Sequence, residues 1–225
     1  MADSCATYRA VIDALEKSAL AAKRRPQSVA LLAVSKRQSA TAIRKLVGCG
    51  QRAFGENYLQ EAKEKIAALS DLALEWHFIG PLQSNKTSEV AQLFDWVHTI
   101  DREKIAARLN TARASVGKPL NVCIQVNISG ETTKNGISPA ELPMLCEQFS
   151  DFSHLKLRGL MALPAPTADL AKQRAAFHQL NRLYTEVIGK PVDTLSIGTS
   201  ADYHAAILEG ATIVRIGTAL FGPRN

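Results

Sequence analysis

Two features of this chain have residue types and spacing suited to chemistry: a lysine at the end of an apolar run, and two turns of small polar residues near the C-terminus. Lys36 follows Leu31-Leu32-Ala33-Val34-Ser35. A lysine at the mouth of a fold can pair with an anion or condense with an aldehyde as a Schiff base. The second use needs a neutral amine, so its pKa must fall from about 10.4. A nearby guanidinium such as Arg215, and partial desolvation, would both push it down. The plainer fate of a lone lysine is to lay its stem along the surface and leave the ammonium in water. The two turns are Ser196-Ile197-Gly198-Thr199-Ser200 and Arg215-Ile216-Gly217-Thr218. Gly198 and Gly217 permit close backbone approach. Ser200, read as an N-cap, would aim free N–H groups of the following helix at an anion. Helix-dipole attraction at an exposed end is only about 0.3–1 kcal/mol, so hydrogen bonds must carry most of a phosphate's affinity. The same glycines would equally serve to shape turns between strands and helices.

The elements that must position these residues follow from alternation along the chain. Short β-branched runs read as strands at 29–35, 52–55, 74–79, 96–100, 121–127, 155–161, 193–197 and 212–216. Amphipathic helices fill the intervals at 39–49, 57–69, 84–93, 102–115, 138–149, 167–188 and 200–209, and an extra helix at 4–24 precedes the first strand. Ser39 and Asp101 are N-cap types, and Ser138-Pro139 sets proline in a first turn. Gly50, Gly189 and Gly210 stand where helices should stop, and Asn135-Gly136 signals a turn. Eight strands joined by helices imply parallel pairing through right-handed crossovers. The count of eight, and the lack of a GxGxxG loop after the first strand, favour a closed barrel over an open doubly wound sheet. The expectation is a (β/α)8 TIM barrel, one α/β domain over 1–225, with the N-terminal helix of 1–25 packed on its bottom or side. In such barrels the site lies at the C-terminal ends of the strands, often with phosphate held after strands seven and eight. Lys36, Asn57, Ser200, Arg215, Gly217 and Thr218 all fall there.

Composition narrows the function. The chain has 225 residues, 46% apolar and 21% charged, which fits a globular domain. Its net charge of +6 could suit a polyanion, but the basic residues are dispersed and not interleaved with aromatics, so nucleic acid is not the expected partner. No CxxC pair occurs among Cys5, Cys49, Cys123 and Cys146, and Cys123 reads as core. His77, His98, His154, His178 and His204 have no metal-ligand spacing, so no metal is expected and His77 reads as structural. No signal peptide or membrane-length apolar run is present, which points to the cytoplasm and to no membrane partner.

The motifs Ala33-Val34-Ser35-Lys36, Phe54-Gly55-Glu56-Asn57-Tyr58, Trp76-His77-Phe78-Ile79-Gly80-Pro81-Leu82-Gln83-Ser84-Asn85-Lys86, Arg158-Gly159-Leu160-Met161 and Val214-Arg215-Ile216-Gly217-Thr218-Ala219-Leu220-Phe221-Gly222 together resemble the pyridoxal phosphate homeostasis proteins, the YggS/PROSC family. The likeness runs over about residues 4–222. It implies a barrel like the N-terminal domain of alanine racemase and an internal aldimine between pyridoxal 5′-phosphate (PLP) and Lys36. It also implies phosphate held by Ser200, Gly217 and Thr218, Arg215 facing the pyridine nitrogen, and Asn57 beside the cofactor. Lys134 resembles a further lysine near the site in some members and is not ranked as a ligand. The sequence departs from the family's strand-seven pattern, where Ile197, Thr199 and Tyr203 replace three methionines.

The resemblance implies a non-enzymatic role: binding PLP, keeping the free aldehyde low and carrying it to PLP-dependent apoenzymes. Arg215 agrees with this, because a guanidinium donates hydrogen bonds but keeps its proton, leaving the ring nitrogen unprotonated and the cofactor a weaker electron sink. The alternative is a PLP-dependent amino-acid racemase. It needs proton-transfer groups on both faces of the substrate carbon, with Lys36 as one and Tyr58 or Tyr203 as candidates for the other among Tyr8, Tyr58, Tyr184 and Tyr203. The β-rich second domain of alanine racemase is not expected after strand eight, and the bare rim points to a monomer. A third class, a barrel enzyme acting on a phosphorylated sugar, would use the same anion site without the Schiff base.

Overall fold

The computed structural model describes residues 3–131, 135–186 and 192–222. Eight strands follow one another around a closed parallel barrel: β1 (Ala30–Val34), β2 (Ala53–Glu56), β3 (Glu75–Phe78), β4 (Trp96–Ile100), β5 (Leu120–Gln125), β6 (Leu155–Met161), β7 (Thr194–Thr199) and β8 (Ile213–Ile216). The ring closes where β1 pairs with β8, Leu32 opposite Arg215 and Ala33 opposite Ile216. The strands are short and apolar because both faces are covered. Along β1, Leu31 and Ala33 join the large cluster shared with the helices, whereas Leu32 and Val34 meet Ile79 and Ile213 inside the ring. This two-residue period decides which side chains can reach a site at the barrel mouth.

Helices α2 (Ala40–Gly48), α3 (Leu59–Ala68), α4 (Thr87–Leu93), α5 (Glu103–Arg113), α6 (Leu142–Gln148), α7 (Leu170–Glu186) and α8 (Tyr203–Leu208) fill the intervals between strands, and a short α9 (Thr218–Phe221) follows β8. The fold is therefore the (β/α)8 barrel that the alternation predicts. Ser39 caps α2, its Oγ accepting from Ala42 N at 3.1 Å. Ser138 and Glu141 form a capping box before Pro139. Asp101 is not a cap: the residue before α5 is Arg102, with which Asp101 pairs at 2.7 Å. The predicted helix over 84–93 begins instead as a 3-10 turn at Ser84–Lys86, and that over 138–149 as a 3-10 turn at Pro139–Glu141. Gly189 and Lys134 lie outside the described residues.

The N-terminal helix α1 (Ser4–Ala21) lies along the side of the barrel against α2, α8 and α9. Asp3 caps it, accepting from Cys5 N at 2.9 Å. Its inner face buries Leu15, Ser18 and Ala19; cutting Leu15 back to alanine would cost roughly 2–5 kcal/mol. Polar ties add direction: Ser18 Oγ lies 3.0 Å from His204 Nδ1, and Arg24 donates to Ala211 O at 2.7 Å. A disulfide joins Cys5 of α1 to Cys49 at the end of α2, a link the cysteine spacing does not reveal.

Candidate functional site

A cleft of about 280 Å3 opens at the C-terminal ends of the strands, lined by Val34, Lys36, Asn57, Ile79, Leu163, Thr199, Ser200, Ala201, Arg215, Gly217 and Thr218. All six residues singled out in the sequence are there. Lys36 follows β1 in the same inward phase as Leu32 and Val34. Asn57 follows β2, and its Oδ1 is buried without a hydrogen-bond partner. Such an acceptor costs free energy unless something donates to it.

Gly80 explains how Asn57 comes to be placed. A Cβ at residue 80 would lie 2.0 Å from Asn57 O, so only glycine lets the ends of β2 and β3 touch. Thr99 Oγ1 then donates to Gly80 O at 2.7 Å and ties β4 into the same corner.

Arg215 is 4% exposed. Its NH1 donates to Ser196 O at 2.5 Å and Ser196 Oγ at 2.8 Å, and its NH2 donates to Ala162 O at 2.8 Å. Three of five N–H donors are used in this way, leaving two in a group that lines the cleft. Burial pulls its pKa down to about 10, with Asp202 acting the other way, so it remains a guanidinium at neutral pH. Ser196 Oγ also meets His98 Nδ1 at 2.9 Å, and His98 leads on to His77.

Ser200 is not the helix cap. Asp202 turns its carboxylate back, its Oδ1 accepting from Thr199 N at 2.6 Å and Thr199 Oγ1 at 2.8 Å. That turn delays α8 to Tyr203 and leaves Ser200 facing the cleft as a turn residue. Gly198 permits the bend: its φ is +93, and a Cβ at this position would lie only 2.7 Å from Ala206 Cβ. Gly217 and Thr218 open α9, whose first N–H groups have no helical acceptor. Of the three positions that depart from the strand-seven pattern, Thr199 lines the cleft, Ile197 is buried in the core and Tyr203 packs against it.

The structure also brings together residues the sequence kept apart. His77 and His98 are hydrogen-bonded neighbours on adjacent strands. Even so, no three His, Cys, Asp or Glu side chains gather as metal ligands among the described residues. Cys123 is buried, and burial pushes its thiol up to about 12, so it is an inert core residue. None of Tyr8, Tyr58, Tyr184 and Tyr203 lines the cleft; Tyr58 is half exposed beside it, and Tyr184 donates to Val192 O at 2.9 Å.

Residues 12–225 match the family model "Alanine racemase, N-terminal domain". A pyridoxal phosphate homeostasis protein of Pseudomonas aeruginosa is 55% identical over 94% of this chain and 91% of its own length. One from Escherichia coli is 48% identical over 96% and 94%. The chain belongs to the pyridoxal phosphate homeostasis protein family, within the alanine racemase N-terminal domain group. A solved family structure, PipY of Synechococcus elongatus with PLP bound, superposes with a TM-score of 0.81 at 37% identity, covering 92% of this chain and 98% of that one. Of the motifs that carried the resemblance, those holding Val34 and Lys36, Asn57, Ile79, and Arg215, Gly217 and Thr218 reach the cleft, whereas Arg158-Gly159-Leu160-Met161 does not, and Leu163, Thr199, Ser200 and Ala201 line it from outside the motifs.

Proposed function

We propose that this chain binds PLP in the cleft, covalently on Lys36, and serves PLP homeostasis in the cytoplasm, storing the cofactor and passing it to apoenzymes without turnover. The observation that carries the reading is the convergence of Lys36, Asn57, Ser200, Arg215, Gly217 and Thr218 on one cleft. Bound there, PLP supplies an aldehyde that condenses reversibly with a neutral amine.

The cleft fits such a group. Ser200, Gly217 and Thr218 offer hydroxyl and backbone donors for a phosphate, the residue types that phosphate sites after strands seven and eight use. Val34, Ile79 and Leu163 give an aromatic ring apolar contact, and Asn57 Oδ1 waits for a donor. Arg215 donates without surrendering a proton, so it holds a ring nitrogen in its unprotonated form. Neither Tyr58 nor Tyr203, the candidates for the second proton-transfer group of a racemase, lines the cleft. The relatives are named for pyridoxal phosphate homeostasis, which agrees with this reading. No helix among the described residues is long and apolar enough to cross a membrane. We infer a monomer with no nucleic-acid partner.

The test is an absorbance spectrum with PLP before and after borohydride, followed by peptide mapping. A visible imine band that borohydride abolishes, with pyridoxyl mass on the Lys36 peptide and none in Lys36→Ala, is expected. Absence of the band at saturating PLP would sink the proposal. Exchange of an amino acid's α-proton would count against carriage alone.

A further inference from the structure

The peptide groups on either side of Lys36 are gripped from outside the barrel. Lys65 of α3 donates through Nζ to Ser35 O at 2.6 Å. Glu61, one turn earlier on α3, accepts through Oε1 from Arg37 N. Lys65 also binds Glu61 Oε1 at 2.5 Å and Glu56 Oε1 at 2.8 Å, and Ser35 Oγ donates to the same Glu56 oxygen at 2.6 Å. Ser35 and Glu56 are fully buried and Lys65 nearly so. Arg37 takes the left-handed conformation, φ +61, which a non-glycine residue holds only when its surroundings enforce it.

The alternation along β1 makes this arrangement directional. Leu32, Val34 and Lys36 share the inward phase, while Ser35 points outward to α3. An apolar trio of similar volume would pack α3 on the sheet as well as a buried ion cluster does. It could not fix two main-chain groups at once. Burial holds the Glu56 carboxyl above its ordinary pKa, against the hydrogen bonds from Lys65 and Ser35.

Building on the PLP reading, we propose that Lys65, with Glu56 and Glu61, is the positioning device of the covalent step. It clamps Ser35 and Arg37 so that the Lys36 amine projects into the cleft at a fixed place. In that step the neutral amine nitrogen adds to the aldehyde carbon, both amine protons end on the carbonyl oxygen, and water leaves as the C=N bond forms.

The experiment uses the full chain with Lys65→Met, Glu61→Ala and Glu61→Gln. Each is checked by thermal melting, then assayed for the rate of imine formation with PLP and for affinity toward pyridoxine 5′-phosphate, which fills the cleft but has no aldehyde. In Lys65→Met, imine formation should slow about tenfold or more while pyridoxine 5′-phosphate affinity stays within about twofold. Glu61→Ala should slow it less, and Glu61→Gln, which keeps an oxygen for the Arg37 amide, should fall between Glu61→Ala and the unmodified chain. If Lys65→Met does not fold, the Glu61 pair carries the test, because that side chain is partly exposed. Unchanged imine rates would overturn the clamp alone, as would equal loss of both ligands. Failure of the unmodified chain to form any imine would overturn the clamp together with the reading beneath it.

Discussion

His77 Nδ1 lies 2.9 Å from His98 Nε2 inside the barrel, and chemistry fixes the direction of that bond. At one end, Glu75 Oε1 lies 2.7 Å from His77 Nε2, and a carboxylate accepts. At the other, Arg215 donates to Ser196 Oγ, and a guanidinium cannot accept. With both rings neutral the order runs from the Glu75 end: His77 donates through Nε2 to Glu75 and accepts at Nδ1 from His98 Nε2–H, and His98 Nδ1 accepts from the Ser196 hydroxyl. Both imidazoles are neutral Nε2–H tautomers. Burial lowers the pKa of His77 against the pull of Glu75, and lowers that of His98 further with help from His77 and Arg215.

Acid stability should report this directly. The folded chain leaves both histidines neutral, whereas the unfolded chain protonates them near pH 6.5. Below that value the unfolded state binds more protons, so stability is intact above about pH 6.5 and declines as pH falls toward the folded-state values. Each histidine contributes at most about 1.4 kcal/mol per pH unit. Denaturant titrations between pH 7 and 5 should show a shallower decline in His98→Gln than in the unmodified chain; equal slopes would refute the neutral assignment.

Ser200→Ala and Thr218→Val remove hydroxyls proposed to meet a phosphate. A hydrogen bond to a charged group is worth about 1.5–3 kcal/mol, so each variant should bind PLP and pyridoxine 5′-phosphate roughly tenfold to a hundredfold more weakly. Calorimetric titration checks this, and wild-type affinity in both variants would remove the phosphate from this corner.

Gly80→Ala should loosen the site without touching a ligand. The new methyl cannot coexist with Asn57 O at 2.0 Å, so the β2 end must move, at a cost of about 1–3 kcal/mol. Thermal melting and PLP binding should both worsen. A variant that melts and binds like the parent would contradict the close approach.

The Cys5–Cys49 bridge closes a segment with a sequence separation of 44. Chain-entropy arguments put its worth at about 4 kcal/mol. A reductant should lower the melting temperature of the oxidised chain, and Cys5→Ser should remove the difference. In the cytoplasm proposed above, where thiols are kept reduced, the dithiol form is the expected one.

Much of the fold was legible because alternating short strands and amphipathic helices leave few architectures, and the gathering of six residues on one cleft was legible because strand ends in a barrel share one rim. What escaped depends on contacts between distant residues. His77 and His98 stand 21 positions apart and meet only through the pairing of β3 with β4. Lys65 belongs to none of the motifs the sequence offers, yet it is buried against Ser35 O and Glu56. Ser200 has the type of a cap, and only the backward bond of Asp202 to Thr199 shows why it is not one. The Cys5–Cys49 pair requires knowing that α1 lies beside α2.

The two strands that bear Lys36 and Arg215 are the first and the last of the ring, and they meet at its closing seam. A growing chain therefore carries Lys36 long before it has a cleft for that side chain to line. Until β8 is made and docks on β1, no partial barrel has the cleft, and a nascent chain cannot capture aldehyde there. Once the seam is shut, a ligand lying across it acts as a latch: its binding favours the closed ring over any opened form by a free energy that grows with the logarithm of its concentration. On the reading proposed above, loading is thus also the sign that folding is finished.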